Sequence, residues 1–476
     1  MKQLQVYVSV VFLTLLISAG QGSAQTASDN DWPMLGHDPS HTWATSASLK
    51  PPLVIQWLRN FTSLDSVPVV SGDRVFVATS QYLQDYGKVF SLDKATGSTE
   101  WVYDTHGTIM GGTSPAVSEN LVYVPVSYLG PPPQPNGTKH DIYTTGAGAL
   151  IALDKSTGSL VWSRPASRAI ITSPTVEGGV VFIVLDEEGV YAFDGETGAV
   201  RWFYPVSNFG ILQGAPLVYD GTVYVGTIAK GIFALDAANG ALKWHYVPTQ
   251  AHSGVTGGLT AGSGMVFAPL FDTSVQARYQ LRLAAFKADS GELLWLRLLY
   301  DLPFSPPYQQ VGGEVLPAFF NGTVFATGLI GNDDTSTLYA LDATTGNIRW
   351  QSSISVGGSN IAIANHTLLV PASPGLIAFD GNTGQQVWSY QLPKVALVHG
   401  PVLAGESVYL GIWAVGLYAI TNANTVPEFS FPIANIILAS TLLLALASIA
   451  QKRGRHQSKL NRAIKTCPLR QVTAIG

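Results

Sequence analysis

Three histidines, His106, His252 and His399, fall in links between strand-like segments, and links of the same kind carry Arg168, Gln213, Glu314 and Asn360. Imidazoles gathered around one axis can ligate a transition metal, but these three lie far apart in the chain and lack the short ligand spacing that marks metal sites. The expectation is therefore no metal and a ring of polar groups around the mouth of a wet channel. The stretch "GNDD" (331 to 334) offers Asp333 and Asp334 as oxygen ligands. It lacks the patterned loop that holds calcium and reads as a solvated turn. No phosphate loop, Ser/His/Asp order or paired carboxylates can be placed in one pocket from the sequence, so no catalytic residue is assigned.

What positions these residues is a repeat. The segment "LYALDATTGNIRW", ending at Trp350, has relatives ending at Trp101, Trp162, Trp202, Trp244, Trp295 and Trp388, each with a Gly four residues before the Trp. In six of these seven an Asp stands four before the Gly, and Lys287 is the exception. Seven identical offsets among 11 Trp in 476 residues cannot be chance. The run before the Asp alternates β-branched or aromatic residues with small ones, as a half-buried strand does. Asp binds backbone amides two residues on, and Gly supplies the positive φ that closes a tight turn. The Trp then starts an outer strand whose ring needs a large flat seat, for which the neighbouring copy of the turn is the natural place.

Ahead of each copy lies another pair of strand signals, as in "SPTVEGGVVFIVLD" (173 to 186) and "APLVYDGTVYVGT" (215 to 227). Each unit is thus four antiparallel strands, and the 38 to 61 residues between successive Trp suit propeller blades rather than helical repeats. Seven units are complete. An eighth, "GPVLAGESVYLGIWAVGLYAIT" (400 to 421), stops before its Trp strand, whereas "PPLVIQWLRN" (51 to 60) supplies Trp57 with no unit in front of it. The sequence therefore predicts an all-β, eight-bladed propeller over residues 51–421, its last blade completed by the N-terminal strand so that no edge stays open. The ring closes within one chain, so the propeller is expected to be monomeric.

The ends of the chain predict its location. Residues 1–24 combine Lys2, an apolar core and small residues at Gly22 and Ala24, the pattern of a secretory signal. Residues 25–50 form a leader and 422–428 a linker. Residues 429–450 are 22 residues without a charge, long enough for a transmembrane helix, and the tail 451–476 carries seven Lys and Arg with no acid. Positive charge stays on the cytoplasmic side, placing the propeller outside a single-pass cell membrane anchor. Without the tail cations and Lys2, 18 cations face 31 acids, a net charge of about −13 that disfavours nucleic acid and anionic surfaces as partners. The single cysteine, Cys467, falls in the tail, so the exported part has no disulfide. Asn60, Asn136, Asn321 and Asn365 each head an N-x-Thr sequon, the acceptor pattern for glycosylation.

With strands A to D counted from the axis outward, the A–B and C–D turns are short. The long insertions fall between B and C or between D and the next A, which emerge on one face. Long loops confined to one face mark a binding surface. Its candidate contacts are Tyr82, Tyr86, Tyr128, Tyr143, Tyr279 and Tyr308, since Tyr on a stiff scaffold gives contact area at low entropy cost.

The repeat "ALDxxTGxxxW" and the leader "DWPMLGHDPSHTWATS" (31 to 46) resemble the PQQ-like β-propeller proteins, a group spanning quinoprotein alcohol dehydrogenases and the bacterial outer-membrane assembly scaffold lipoprotein. "PEF" (427 to 429) resembles archaeal surface-protein sorting signals. In the dehydrogenases the resemblance implies adjacent cysteines beside the cofactor, a calcium and an Asp base. This chain has no cysteine pair, and Arg168 alone among the channel-mouth candidates is a cation for a tricarboxylate. The reading is a cell-surface, non-catalytic scaffold for a protein or glycan, with no cofactor expected. The alternatives are a PQQ- and calcium-dependent oxidoreductase with a diverged site and a carbohydrate-binding or carbohydrate-processing propeller.

Overall fold

The computed structural model describes residues 28, 30–61, 64, 66–80, 87–109, 113–128, 148–185, 188–206, 214–248, 253–273, 278–303, 315–327, 335–355, 360–372, 375–392, 398–412 and 415–423. The signal-like start, residues 429–450 and the basic tail lie outside them. Among the described residues no helix is long and apolar enough to cross a membrane.

Eight antiparallel sheets follow one another along the chain, over residues 69–104, 116–166, 175–205, 217–246, 253–303, 318–355, 362–391, and 398–422 joined by 53–60. The strand Leu53–Asn60 pairs antiparallel with Gly416–Asn422, Trp57 opposite Ala419, and so completes blade 8 from the N-terminal side. Blade 5 departs from the simple pattern. Ser253–Val255 and Thr260–Gly262 both pair with the long strand Met265–Asp272, and its two outer strands run to Arg278–Lys287 and Leu293–Pro303.

The repeat residues do two jobs at once. In blade 6 the Asp342 carboxylate accepts from the backbone and hydroxyl of Thr345. The hydrogen bond from Arg349, ahead of those from Thr345, pulls its pKa down to about 2. Gly346 closes the turn at φ 68°. Its missing side chain also makes room, since a Cβ there would stand 2.5 Å from the Trp295 ring of blade 5. Gly97, Gly158, Gly198, Gly240, Gly291 and Gly384 receive Trp57, Trp101, Trp162, Trp202, Trp244 and Trp350 in the same way. Each of these indoles also donates Nε1–H to a carbonyl of the turn it rests on, for example Trp57 to Lys94 at 3.0 Å and Trp295 to Ala343 at 2.8 Å. In the copy with Lys287 the backbone bonds of the turn persist, Gly291 N to Lys287 O and Lys287 N to Glu292 O, and Lys287 Nζ lies 3.5 Å from the Asp289 carboxylate.

On its inner side each of these rings meets an aromatic residue on strand B of its own blade, such as Phe76 for Trp101, Tyr224 for Trp244 and Tyr409 for Trp57. The strand C residue lying between the two is small, as Ser91 and Ala234 illustrate, so the rings touch over it. Trp388 breaks the rule. Leu369 stands where the strand B ring would be, and blade 8 has no following copy of the turn to seat Trp388. The buried core consists of these interfaces repeated around the ring.

Candidate functional site: a channel stoppered by the leader

The innermost strands of a propeller present their outer backbone edge to the axis, where N–H and C=O groups need partners. Here the leader supplies them, and it is an integral layer of the propeller rather than a separate segment ahead of it. Trp32 exchanges both backbone bonds with Val70 of blade 1, and Pro33 O accepts from Val117 of blade 2. Pro39 O, Ser40 O, Thr42 O and Trp43 O accept from Val218, Ala261, Phe319 and Ile363 of blades 4, 5, 6 and 7. Ala44–Thr45 then runs parallel to Ala362–Ala364. Blade 3 is reached by a side chain, His41 Nε2 lying 3.3 Å from Thr175 Oγ1.

A local knot shapes the crossing. Asp38 accepts from the backbone and hydroxyl of Thr42, and Trp43 N donates to Gly36 O at 2.9 Å. Gly36, at φ 79°, lies so close to His41 that an added Cβ would overlap it at 2.7 Å. The knot carries two fully buried indoles, Trp32 and Trp43, with ring centroids 6.1 Å apart. Every backbone bond to an inner strand falls just before an A–B turn, so the leader closes the short-turn end of the channel. The other end, where the D-to-A links arrive, is not crossed by it.

Burial of His41 pushes its pKa down to about 4, outweighing the favourable field of Asp38 and the Leu259 carbonyl. In the unfolded chain a histidine titrates near 6.5. The neutral ring thus contributes stability that is complete above about pH 6.5 and is lost as pH falls toward 4, worth about 3 kcal/mol by linkage. His399, partly buried, is pushed down to about 4 by the same cause. Denaturant midpoints measured between pH 7.5 and 4.5 should fall steeply in the native protein and less steeply in His41→Gln. Parallel profiles would assign the loss to other groups.

At the D-to-A end the sequence candidates separate. Asn360 is buried at the start of the inner strand of blade 7. His399 stands opposite Gly411 in blade 8, and Arg168 is partly buried in the link that follows blade 2. His106 is different. Its side chain is 77% exposed beside Asp104, at the outer end of its link rather than at the axis. Gln213, His252 and Glu314 lie outside the described residues. Among the described residues no three His, Cys, Asp or Glu side chains gather as a metal site, and Asp333 and Asp334 are outside them.

Of the tyrosines, Tyr128 is 36% exposed at the end of a blade 2 strand. Tyr279 is not a loop contact. It sits in strand C of blade 5, 8% exposed and stacked on Phe271, because the long strands Met265–Asp272 and Arg278–Lys287 pair as far as Asp272 and Gln280. Tyr82, Tyr86, Tyr143 and Tyr308 lie outside the described residues. Asn60, Asn321 and Asn365 are exposed, the last two in A–B turns on the leader's side, and Asn136 is outside the described residues.

Sequence reasoning missed the hydroxyl clasps between blades. Ser114 Oγ donates to Val67 O and Ser114 N donates to Ser173 Oγ, tying the starts of three inner strands together. Within blade 1 Ser66 Oγ accepts from Ala78 N, and within blade 3 Thr172 Oγ1 donates to Val184 O. The recurrence of a hydroxyl just before proline, as in "TSP" at 113 to 115 and 172 to 174, was the signal available.

A propeller with this repeat and this leader can be compared with known proteins. The family model described as "Outer membrane protein assembly factor BamB" matches residues 40–128, 129–298 and 280–424. The chain belongs to this family. BamB of Escherichia coli K12 is 27% identical over 361 residues, 73% of this chain and 84% of that protein. With BamB of Francisella salina the match is 28% over 138 residues and spans only 23% of that protein. Among solved structures, BamB of Moraxella catarrhalis superposes with a TM-score of 0.58 at 16% identity, covering 78% of this chain and 99% of that one. Quinohemoprotein alcohol dehydrogenase of Comamonas testosteroni gives 0.58 at 17%, covering 85% and 82%. At such identities these two structures speak for the fold alone.

Proposed function

We propose that this BamB-family propeller is a non-catalytic scaffold held at the outer side of a membrane, binding a protein or glycan of the cell surface through its long-loop face. The observation that carries the reading is the stopper. A leader bonded to six inner strands and touching a seventh covers the short-turn end of the ring, so a ligand approaching along the axis meets the opposite face, to which the long loops belong. The family's name, that of an assembly factor, is of the same kind. Tethering rests on the uncharged stretch 429–450 and the basic tail, with the propeller extracytoplasmic.

We expect this chain to carry neither PQQ nor calcium. The described residues bring no acid cluster together, and Arg168 is the only cation among the channel-mouth candidates. Among the described residues the buried side-chain atoms without a partner, Trp32 Nε1, His37 Nε2 and Tyr409 Oη, belong to the leader and to a blade interface.

Two measurements test the reading. Calorimetric titration of the full chain with PQQ, with and without calcium, should give no saturable heat, and binding of one per chain would replace the scaffold by an oxidoreductase. Removing residues 129–143 should leave the melting temperature within about a degree while lowering capture of cell-surface ligands several-fold. Undiminished capture would move the site off this face.

A further inference from the structure

Both stretches of chain that lead out of the ring do so through one face. Strand C of blade 8, Gly416–Asn422, runs from the B–C end of the blade to the end where a C–D turn would follow. At that end Thr421 Oγ1 donates to Glu406 O of the A–B turn at 2.8 Å, and Ala423 N donates to Pro52 O. The chain therefore departs through the short-turn face, which the leader covers. The N-terminal side departs there too. Asn30 O accepts from Lys94 Nζ in the C–D turn of blade 1, and the Asp31 carboxylate accepts from Gly72 N in the A–B turn of that blade. A Cβ on Gly405, in the A–B turn of blade 8, would stand 2.8 Å from Asn30 Oδ1. Only residues 424–428 separate Ala423 from the uncharged stretch that begins at Phe429.

We infer that the short-turn face is turned toward the lipid headgroups and the long-loop face away from them, so that a ligand reaches the long loops from outside. The inference rests on the tether proposed above. The Cα steps from Ala423 to Phe429 span at most about 20 Å. Strand Gly416–Asn422 is itself about that tall at its rise of ~3.3 Å per residue, so with the long-loop face toward the bilayer the connection would use its whole length to run back past the strand it has just left. The lipid it faces is neutral. The turns of this face expose Asp73, Glu119, Glu196, Asp220, Asp289 and Glu406, whereas Lys94 and Lys155 are half-buried and bonded to Asn30 O and Ser71 Oγ. Such a surface is held near a bilayer by its leash and not by attraction to anionic headgroups.

Blade 4, across the ring from blade 8, provides the test. Ala229 and Ala238 sit in exposed turns at the two ends of its strand Gly231–Asp236, Ala229 on the long-loop face and Ala238 on the short-turn face. Ala229→Cys and Ala238→Cys are each made in the full chain with Cys467→Ser as background and labelled with a fluorescent donor. The protein is then reconstituted into phosphatidylcholine vesicles that carry acceptors on their headgroups. Energy transfer from Ala238→Cys should exceed that from Ala229→Cys several-fold. Equal transfer, as from a ring resting on the rim of blade 8, or stronger transfer from Ala229→Cys, overturns the inference while the tether stands. A chain that fails to float with the vesicles removes the tether, and the orientation with it.

Discussion

Trp32→Ala and Trp43→Ala should each destabilise the whole propeller by about 3–5 kcal/mol, the cost of emptying a fully buried indole site. Both rings are essentially inaccessible, at 0% and 1%, although they belong to a segment ahead of the first blade. The leader contributes more than packing. Its carbonyls receive the amides of Val70, Val117, Val218, Ala261, Phe319 and Ile363, one from each of six blades. A chain lacking residues 31–46 should therefore show faster hydrogen exchange at those six amides than at the middle strands of the same blades. The cause is local: these amides face the axis, where the leader is their partner. If either tryptophan substitution costs less than about 1 kcal/mol, or if the six amides stay protected without the leader, the segment is an ornament on a ring that stands without it.

The legibility of the molecule follows this division. The blades were readable because one interaction recurs: a Trp, a Gly four residues earlier and a turn that must accept the neighbouring ring. A rule repeated seven times leaves a period in the sequence, and the unpaired Trp57 pointed to closure through the same rule. The leader was not readable in this way. Most of its contacts with the inner strands are made by backbone carbonyls, those of Pro33, Pro39, Ser40, Thr42 and Trp43, with only Ser40 and His41 adding side-chain bonds, so little in its residue types reports the path. Its density of Trp and His was visible, but the knot of Gly36, Asp38, His41 and Thr42 arises from positive backbone angles at His37, His41 and Trp43 that residue types do not announce. Tyr279 failed for another reason: an apolar-polar insertion reads as a loop until two strands lengthen together and bury alternate residues. The described members of the channel-mouth set differ in depth, from exposed His106 to buried Asn360.

Ring closure gives the second large effect, and its signature is coupling rather than loss alone. Trp57 belongs to three structures at once. It lies in the closing strand opposite Ala419, its ring rests against Tyr409 of blade 8, and it seats on Gly97 of blade 1 with Nε1–H donated to Lys94 O. Trp57→Ala should cost about 3–5 kcal/mol, and Gly97→Ala a comparable amount, because φ is 70° and the new Cβ would stand 2.7 Å from the indole. Both changes break the same seam, so in the double variant the second should add little, a coupling of about 1–3 kcal/mol in a double-mutant cycle. Trp388→Ala provides the internal comparison. That ring has neither an aromatic neighbour on strand B nor a following glycine turn, so its loss should be the smallest among the eight repeat tryptophans. Chemical denaturation of the four variants decides the matter. Additive losses for Trp57 and Gly97, or a Trp388 loss as large as that of Trp57, would mean that the ring is held by its inner strands and not by the outer seam.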